Sequence, residues 1–312
     1  MKIVFMGTPE FAVPSLKMLV EKGEEVVAVI CQPDRPVGRG NKVHACPVKE
    51  AAQEFGIEVY QPERIKREES VLKLKSFHPD LFITAAFGQI LSKEILDIPK
   101  FGTINVHASL LPRHRGAAPI NWAILCGDEK TGVTTMMTDV GMDTGDMLLK
   151  EETVIKREDT AETLSKRLAE MGAQVLYKTL EKLRMGTLER VPQDNAMATV
   201  EPKMTKELGC IDWSKGFEEV ERLIRGTSPW PGAYSLTDAG TMKVFSLMNT
   251  DIQTDAAAGT IVCADAKKGL FVACGGRVAE ILEMQMPGAK RMMAKDYLRG
   301  HKLIEGTILG RK

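Results

Sequence analysis

Three polar residues, Asn105, His107 and Asp143, have the types and spacing from which chemistry is most directly expected. The run from Phe101 to His107 is rich in β-branched residues and ends just before a Leu-Pro turn, which predicts a short strand. Alternation along a strand places Asn105 and His107 on one face, so an amide and an imidazole project into the same space. Asp143 lies in a glycine-punctuated acidic turn, and such a turn can bring its carboxylate back to the histidine.

An amide and an imidazole at a strand end suit polarisation of a carbonyl oxygen while a nucleophile attacks the carbonyl carbon. Asn105 and protonated His107 would hold the negative charge of the tetrahedral intermediate, and Asp143 would favour the protonated imidazole. The predicted reaction class is acyl transfer. A serine hydrolase using Ser109 is a rival, but the chain has no Gly-x-Ser-x-Gly elbow and Ser109 opens a Leu-Leu-Pro turn. A purely structural hydrogen bond of His107 is the remaining alternative.

Composition limits the classes of protein that this chain can represent. With 312 residues, 44% hydrophobic and 27% charged, it suits about two globular domains. The net charge is zero, so a nucleic-acid interface must depend on local basic patches. No signal peptide and no membrane span are expected, which favours a cytoplasmic location. Six cysteines without a Cys-x-x-Cys predict reduced thiols, and His44-Ala-Cys46 lacks the second pair that would complete a metal site.

The elements that must position these residues follow an α/β pattern. A buried strand at Lys2 to Met6, a helix and a second strand ending at Cys31 form a first βαβ unit, which predicts a mostly parallel, Rossmann-like sheet. The turn that begins at Gly7 lacks the second and third glycines of a dinucleotide fingerprint, which disfavours a nicotinamide cofactor. We therefore expect a catalytic domain over residues 1–187, a linker over residues 188–206 and a small antiparallel open β-barrel, OB-like, over residues 207–312.

Two regions concentrate cationic side chains. A long loop between Cys31 and Pro47 carries Arg35, Arg39 and Lys42, and loops of this length inside a domain are usually functional. The segment that begins at Lys290 is also basic, with Arg291 and Lys295 close behind. Both regions fit either a solvated surface or contact with phosphates.

The central motif resembles the signature of the 10-formyltetrahydrofolate-dependent formyltransferases. The stretch that carries the resemblance is Asn105-Val-His107-Ala-Ser109-Leu-Leu-Pro112, followed by Asp143-Thr-Gly145-Asp146. Further similar stretches run along the whole chain: Gly7-Thr-Pro9-Glu-Phe11-Ala, Gln32-Pro-Asp-Arg-Pro-Val-Gly-Arg39-Gly, Arg115-Gly-Ala-Ala-Pro119-Ile, Ile211-Asp-Trp213-Ser and Pro229-Trp230-Pro.

The resemblance implies that Asn105, His107 and Asp143 are the catalytic trio and that 10-formyltetrahydrofolate is the co-substrate, without a metal. It implies folate-binding roles for a set around the strand ends: Ser109, Leu110, Leu111, Pro112, Phe87, Gly88, Asp139 and Gly141. The implied acceptor is the amino group of methionine on initiator tRNA. The residues expected to contact that tRNA are Arg35, Arg39, Lys42, Lys290, Arg291 and Lys295. A monomer is expected.

Two alternatives remain open at the level of sequence. One keeps the chemistry but uses a small amine acceptor, such as glycinamide ribonucleotide or an amino sugar nucleotide, and the basic loop and carboxyl-terminal barrel argue against it. The other is a catalytically silent module that binds folate or RNA, which the presence of all three polar residues of the trio disfavours.

Overall fold

The computed structural model describes residues 1–37 and 42–310, which form two compact units. The first unit comprises Met1–Pro119, Lys130–Val154 and Leu164–Glu201, and the second comprises Ile120–Glu129, Ile155–Thr163 and Pro202–Lys312. Two short excursions of the chain before residue 187 thus belong to the second unit, which a division at a single linker does not anticipate. Arg39 lies outside the described residues.

The strands of the described residues are β1 (Lys2–Gly7), β2 (Glu25–Ile30), β3 (Arg35–Val37), β4 (Lys42–His44), β5 (Val59–Tyr60), β6 (Leu81–Ala85), β7 (Thr103–His107), β8 (Arg115–Gly116), β9 (Lys130–Met137), β10 (Met147–Val154), β11 (Val200–Glu201), β12 (Tyr234–Thr237), β13 (Gly240–Gln253), β14 (Ile261–Asp265), β15 (Gly269–Cys274), β16 (Arg277–Gln285) and β17 (Met292–Met293). The α-helices are α1 (Val13–Glu21), α2 (Pro47–Glu54), α3 (Glu68–Ser76), α4 (Lys93–Leu96), α5 (Pro119–Leu125), α6 (Ala161–Arg184), α7 (Phe217–Gly226) and α8 (Ala294–Gly300).

A seven-stranded sheet in the order β10-β9-β7-β6-β1-β2-β5 forms the centre of the first unit. The five strands from β7 to β5 are parallel, whereas β9 and β10 run antiparallel to their neighbours. Strands β1 and β6 are buried along almost their whole length, as expected where helices cover both faces of a parallel sheet. The predicted α/β class is confirmed.

Helix α6 determines which face of β7 is left for a site. A Cβ added at Gly172 would come within 2.9 Å of the Val106 side chain, so the glycine lets the helix pack closely on this strand. Val106 therefore faces the helix and is 2% exposed. Because side chains alternate along a strand, Asn105 and His107 project from the opposite face.

The segment predicted to be a linker is hydrogen-bonded into the first unit as far as Glu201. Val191 forms a bridge with Met147, and β11 pairs in parallel with β8. The Thr199 hydroxyl accepts a hydrogen bond from the His114 backbone N–H at 2.8 Å. Polar residues of this segment thus satisfy backbone groups of the fold, and the first compact unit extends to Glu201.

The second unit is built on an antiparallel sheet in the order β12-β13-β16-β15-β14, with β17 paired to β16. Its core contains Trp213, whose indole N–H donates to the Ser235 hydroxyl at 2.9 Å. Helix α7 buries Phe217 and its apolar neighbours one and two turns later against this core. The antiparallel carboxyl-terminal fold is confirmed, and helix α8 is an element that sequence periodicity did not indicate.

All six cysteines are free thiols in the described residues. No described helix combines the length and the apolar composition that crossing a membrane requires.

Candidate active site

The carboxyl end of β7 brings Asn105 and His107 to one edge of the sheet. Asn105 lies beside Thr84 of β6 in the parallel register, and His107 lies beside Thr134 of β9. His107 is 6% exposed, so its imidazole is almost removed from water. Carboxyl ends of parallel strands are where open α/β sheets bind their ligands, and the two predicted residues share that position.

Both nitrogens of the His107 imidazole face protein oxygens. Nε2 lies 3.0 Å from the backbone carbonyl oxygen of His114. Because a carbonyl oxygen only accepts, this contact places a hydrogen on Nε2, so Nδ1 of the neutral imidazole carries none. Nδ1 lies 3.7 Å from Oδ2 of Asp143, as an ion pair when the imidazole is protonated.

The turn after β9 delivers Asp143 to the histidine. Its Oδ2 accepts a hydrogen bond from the Gly116 N–H at 2.8 Å, and its backbone has a φ of +53° in the left-handed region. Nearby, a Cβ on Gly145 would come within 1.9 Å of the Met137 carbonyl oxygen, so glycine is required for the turn to close against β9. The structure therefore brings together the three residues that the sequence singled out.

The orientation of the Asn105 amide is set by a neighbour that the sequence analysis missed. The Thr84 hydroxyl, on a residue 7% exposed, donates to Asn105 Oδ1 at 2.9 Å. With its oxygen engaged, the amide presents its NH₂ group as a donor. Thr84 is a polar residue near the end of an apolar strand, and that departure from the pattern was the available signal.

Ser109 has a structural contact in the Leu-Leu-Pro turn. Its hydroxyl donates to the Arg113 carbonyl oxygen at 2.7 Å, and its own carbonyl accepts from the Thr134 hydroxyl at 2.7 Å. The residue is fully buried. These contacts hold the turn and argue against Ser109 as a nucleophile activated by His107. In the same turn Leu111 is 1% exposed, whereas Leu110 and Pro112 are half-buried.

The other predicted folate residues lie on the two loops that border the trio. Phe87 packs its ring into the core, and its carbonyl oxygen accepts from the Thr8 hydroxyl and the Gln32 amide. Gly88 follows with a φ of +85°. Asp139 and Gly141 are exposed, and the Asp139 carboxylate accepts from the Gly141 N–H and the Thr144 hydroxyl. Asp139 thus shapes the turn that carries Asp143.

Several of the predicted phosphate contacts are already paired with carboxylates. Arg35 lies 3.1 Å from Glu63, with both side chains more than half exposed. Lys42 is in β4, opposite Val37, and Arg39 is outside the described residues.

In the second unit, Arg291 makes two hydrogen bonds with Glu283 and lies over the Phe245 ring. The Glu283 side chain, through its hydrogen bonds, raises the pKa of Arg291 above the ordinary arginine value. Lys295 lies 3.4 Å from the buried Glu280. Lys290 is exposed, and it is the cation of this group most open to an added partner.

A second set of residues supports the turn that carries Asp143, and the sequence analysis assigned no role to it, although Arg115 opens one of the similar stretches. Arg115 is 5% exposed and donates from Nε to Gln193 and from Nη2 to Asn195, both at 2.9 Å. The Gln193 amide nitrogen donates to the carbonyl oxygens of Asp143 and Gly145, both at 2.8 Å. No sequence signal pointed to Gln193, which lies in the polar stretch interpreted as a linker.

Comparison with known proteins gives two family matches. The family model described as "Formyl transferase" matches residues 1–180, and the model described as "Formyl transferase, C-terminal domain" matches residues 203–302. A methionyl-tRNA formyltransferase of Ruminiclostridium cellulolyticum is 51% identical over 313 residues, which covers 100% of each chain. One of Acetivibrio thermocellus is 50% identical over 310 residues, covering 99% of this chain and 100% of the relative.

Solved structures of similar fold are more distant in sequence. An N-formyltransferase from Helicobacter canadensis, in complex with folinic acid and dTDP-3-aminofucose, has a TM-score of 0.65 at 19% identity and covers 94% of this chain and 100% of its own. HypX from Aquifex aeolicus, in complex with tetrahydrofolic acid, has a TM-score of 0.62 at 17% identity, and the match covers 95% of this chain and 46% of the HypX chain. At these identities the likeness establishes the fold alone.

Proposed function

This chain belongs to the formyl transferase family, and we propose that it transfers the formyl group of 10-formyltetrahydrofolate to the amino group of methionine on initiator tRNA. The full-length relatives at about half identity carry the name methionyl-tRNA formyltransferase. The structural observation that carries the proposal is the junction of Asn105, His107 and Asp143 at the carboxyl end of β7.

Asn105 and His107 bind the formyl oxygen in this proposal. The Asn105 amide offers its NH₂ group because Thr84 occupies its oxygen. The Nε2 edge of His107 is occupied by the His114 carbonyl, so the Nδ1 edge is the one that faces substrate and Asp143. Donors in place before the reaction stabilise the oxyanion without reorganising during it.

The reaction is a substitution at the formyl carbon. The methionine amine forms a C–N bond with that carbon, negative charge collects on the formyl oxygen, and the bond to N10 of the folate then breaks. The amine loses one proton and N10 gains one, so protons balance. Asp143, 3.7 Å from His107 Nδ1, stabilises the protonated imidazole while the oxyanion exists and helps to organise proton removal from the amine.

The folate lies against the loops that border the trio: the turn from Ser109 to Pro112, the Phe87-Gly88 segment and the acidic turn at Asp139 and Gly141. The Ser109 and Asp139 side chains act by holding their turns, through the contacts described above. The Asn105 amide and the protonated His107 imidazole are hydrogen-bond donors, which suits the oxygen of an uncharged formyl carbonyl. The co-substrate supplies that formyl group.

The tRNA contacts basic side chains on both units. Arg35 lies in β3 and Lys42 in β4, which follow β2 in the chain, and Arg39 lies between them in the sequence. The exposed Lys290, together with Arg291 and Lys295, provides phosphate contacts on the second unit. We place the protein in the cytoplasm, where translation initiation would use its product, and we expect a monomer.

A direct assay decides the acceptor. Purified protein is mixed with 10-formyltetrahydrofolate carrying a labelled formyl group, and initiator methionyl-tRNA, elongator methionyl-tRNA and glycinamide ribonucleotide are supplied in parallel. We expect label on initiator methionyl-tRNA. Label on glycinamide ribonucleotide instead would keep the chemistry and overturn the acceptor, whereas folate binding without any transfer would indicate a silent binding module.

A further inference from the structure

The side-chain amide of Gln193 is hydrogen-bonded on one side to the turn that carries Asp143 and on the other side to the buried Arg115. Its two amide hydrogens go to the carbonyl oxygens of Asp143 and Gly145, and its Oε1 accepts from Arg115 Nε. Because carbonyl oxygens cannot donate and a guanidinium cannot accept, the reversed amide would lose all three bonds. The orientation of the Gln193 amide is therefore determined by its surroundings.

The far end of this network is equally fixed. Arg115 is 5% exposed, its Nη2 donates to Asn195, and its backbone N–H donates to the Thr199 carbonyl oxygen at 2.9 Å. The next residue, Gly116, donates its N–H to the Asp143 carboxylate. One short stretch of chain thus holds the backbone of Asp143 through Gln193 and the side chain of Asp143 through Gly116.

Asp143 needs this support because its backbone is strained. A φ of +53° is unfavourable for a residue with a Cβ and persists where neighbouring contacts overdetermine it. The gap between Asp143 Oδ2 and His107 Nδ1 depends on that backbone, and displacements of about 1 Å in a catalytic group can cost on the order of 10²-fold in rate.

We propose that Gln193, held by Arg115, is a positioning residue that sets the Asp143 carboxylate against His107. The inference rests on the proposed function, since it assigns Asp143 to the formyl transfer step. Each of the three hydrogen bonds of the Gln193 amide goes to a protein group, so Gln193 acts on the reaction through Asp143. Its removal should therefore affect turnover more than substrate affinity.

Three variants separate this role from a general effect on the fold. Gln193→Ala removes all contacts of the side chain. Gln193→Glu keeps an oxygen for Arg115 but replaces the two donors by a carboxylate that repels the Asp143 and Gly145 carbonyls. Asp194→Ala is the matched control, because the exposed Asp194 carboxylate accepts a single, local hydrogen bond among the described residues, from the Ala196 N–H at 2.9 Å.

We expect Gln193→Ala and Gln193→Glu to lower kcat for formylation of methionyl-tRNA by about tenfold, with KM for folate and tRNA unchanged. Asp194→Ala should retain the wild-type kcat. In an Asp143→Asn background, Gln193→Ala should cause no further loss, because both changes act on the same group. Wild-type kcat in both Gln193 variants, or a full additional loss in that background, would overturn the proposal.

A second measurement does not depend on activity. Hydrogen exchange of the Gly116 amide reports the bond to the Asp143 carboxylate, and it should be faster in both Gln193 variants than in wild type and in Asp194→Ala. Unchanged exchange contradicts the positioning role. If wild-type protein formylates no methionyl-tRNA, the proposed function fails, and the exchange result still decides whether Gln193 holds Asp143.

Discussion

Thr84→Val tests how the Asn105 amide is oriented. The substitution replaces the hydroxyl by a methyl group of similar size, so packing in the buried strand β6 is largely kept. What is lost is the 2.9 Å hydrogen bond to Asn105 Oδ1. Without it, the amide can reverse and present its oxygen to the formyl oxygen, which it would repel.

The expected fall in kcat for Thr84→Val is smaller than the fall caused by removing the Asn105 amide donor itself. A hydrogen bond of this kind contributes about 1 kcal/mol, which corresponds to about a fivefold change in rate at 25 °C. Removal of a whole oxyanion donor, as in Asn105→Ala, typically costs about 10²–10³ in rate. We therefore expect kcat of Thr84→Val to fall by about fivefold, with little change in KM.

The assay is steady-state formylation of initiator methionyl-tRNA with both single variants and the double variant. In the Asn105→Ala background, Thr84→Val should have no further effect on kcat, because no amide remains to orient. Thr103→Val is the matched control: this threonine is 1% exposed on β7, and its hydroxyl has no hydrogen-bond partner among the described residues. Independent, multiplicative losses from Thr84→Val and Asn105→Ala would refute the reasoning.

Three further predictions follow from the charged residues. Asp143→Asn should remove most turnover, measured as kcat, and leave the folate dissociation constant largely unchanged; the reverse pattern would make Asp143 a binding residue. Lys290→Gln should raise KM for tRNA and reduce the slope of log KM against log salt concentration by roughly 0.7. Arg39→Ala or Lys42→Ala should lower kcat as well. A variant with the wild-type salt slope and the wild-type kcat would show that its residue does not contact the tRNA. Arg291, through its hydrogen bonds, holds the pKa of Glu283 below the ordinary value of 4.5. The ion pair therefore stabilises the fold at pH values above 4.5, and this stabilisation is lost as the pH falls through the lowered pKa of Glu283. Arg291→Gln should accordingly lower Tm at pH near 7 and differ less from wild type in acid. An equal Tm difference at neutral and at acid pH would exclude a contribution from the ion pair.

The residues that carry the predicted chemistry could be identified from local sequence because β-strand alternation and the turn at Ser109 are local properties. The alternation in β7 correctly placed Asn105 and His107 on one face, and α6 covers the other face at Val106. The return of Asp143 to His107 was a hypothesis of turn geometry, and the structure brings the two to 3.7 Å.

Contacts between residues distant in sequence were not predictable in the same way. Gln193 lies 50 residues from Asp143, in a stretch whose prolines and polar side chains indicate a linker, and its hydrogen bonds form only when the chain returns to β8. Likewise, Arg291 looked like a free phosphate contact, but a strand pairing brings it to Glu283. The sequence shows that Gln193 and Arg291 are polar, but their partners are determined by contacts that form only in the tertiary structure.

The most direct test of the central claim is the single-turnover rate of formyl transfer in His107→Ala and Asn105→Ala. Enzyme in excess is mixed with labelled 10-formyltetrahydrofolate and initiator methionyl-tRNA, and formylated product is followed over time. Folate affinity and Tm are measured on the same preparations, so that a loss of folding is recognised. We predict that each variant binds folate and transfers the formyl group about 10²–10³ times more slowly than wild type. Transfer at close to the wild-type rate in either variant would contradict the assignment of that residue to the oxyanion.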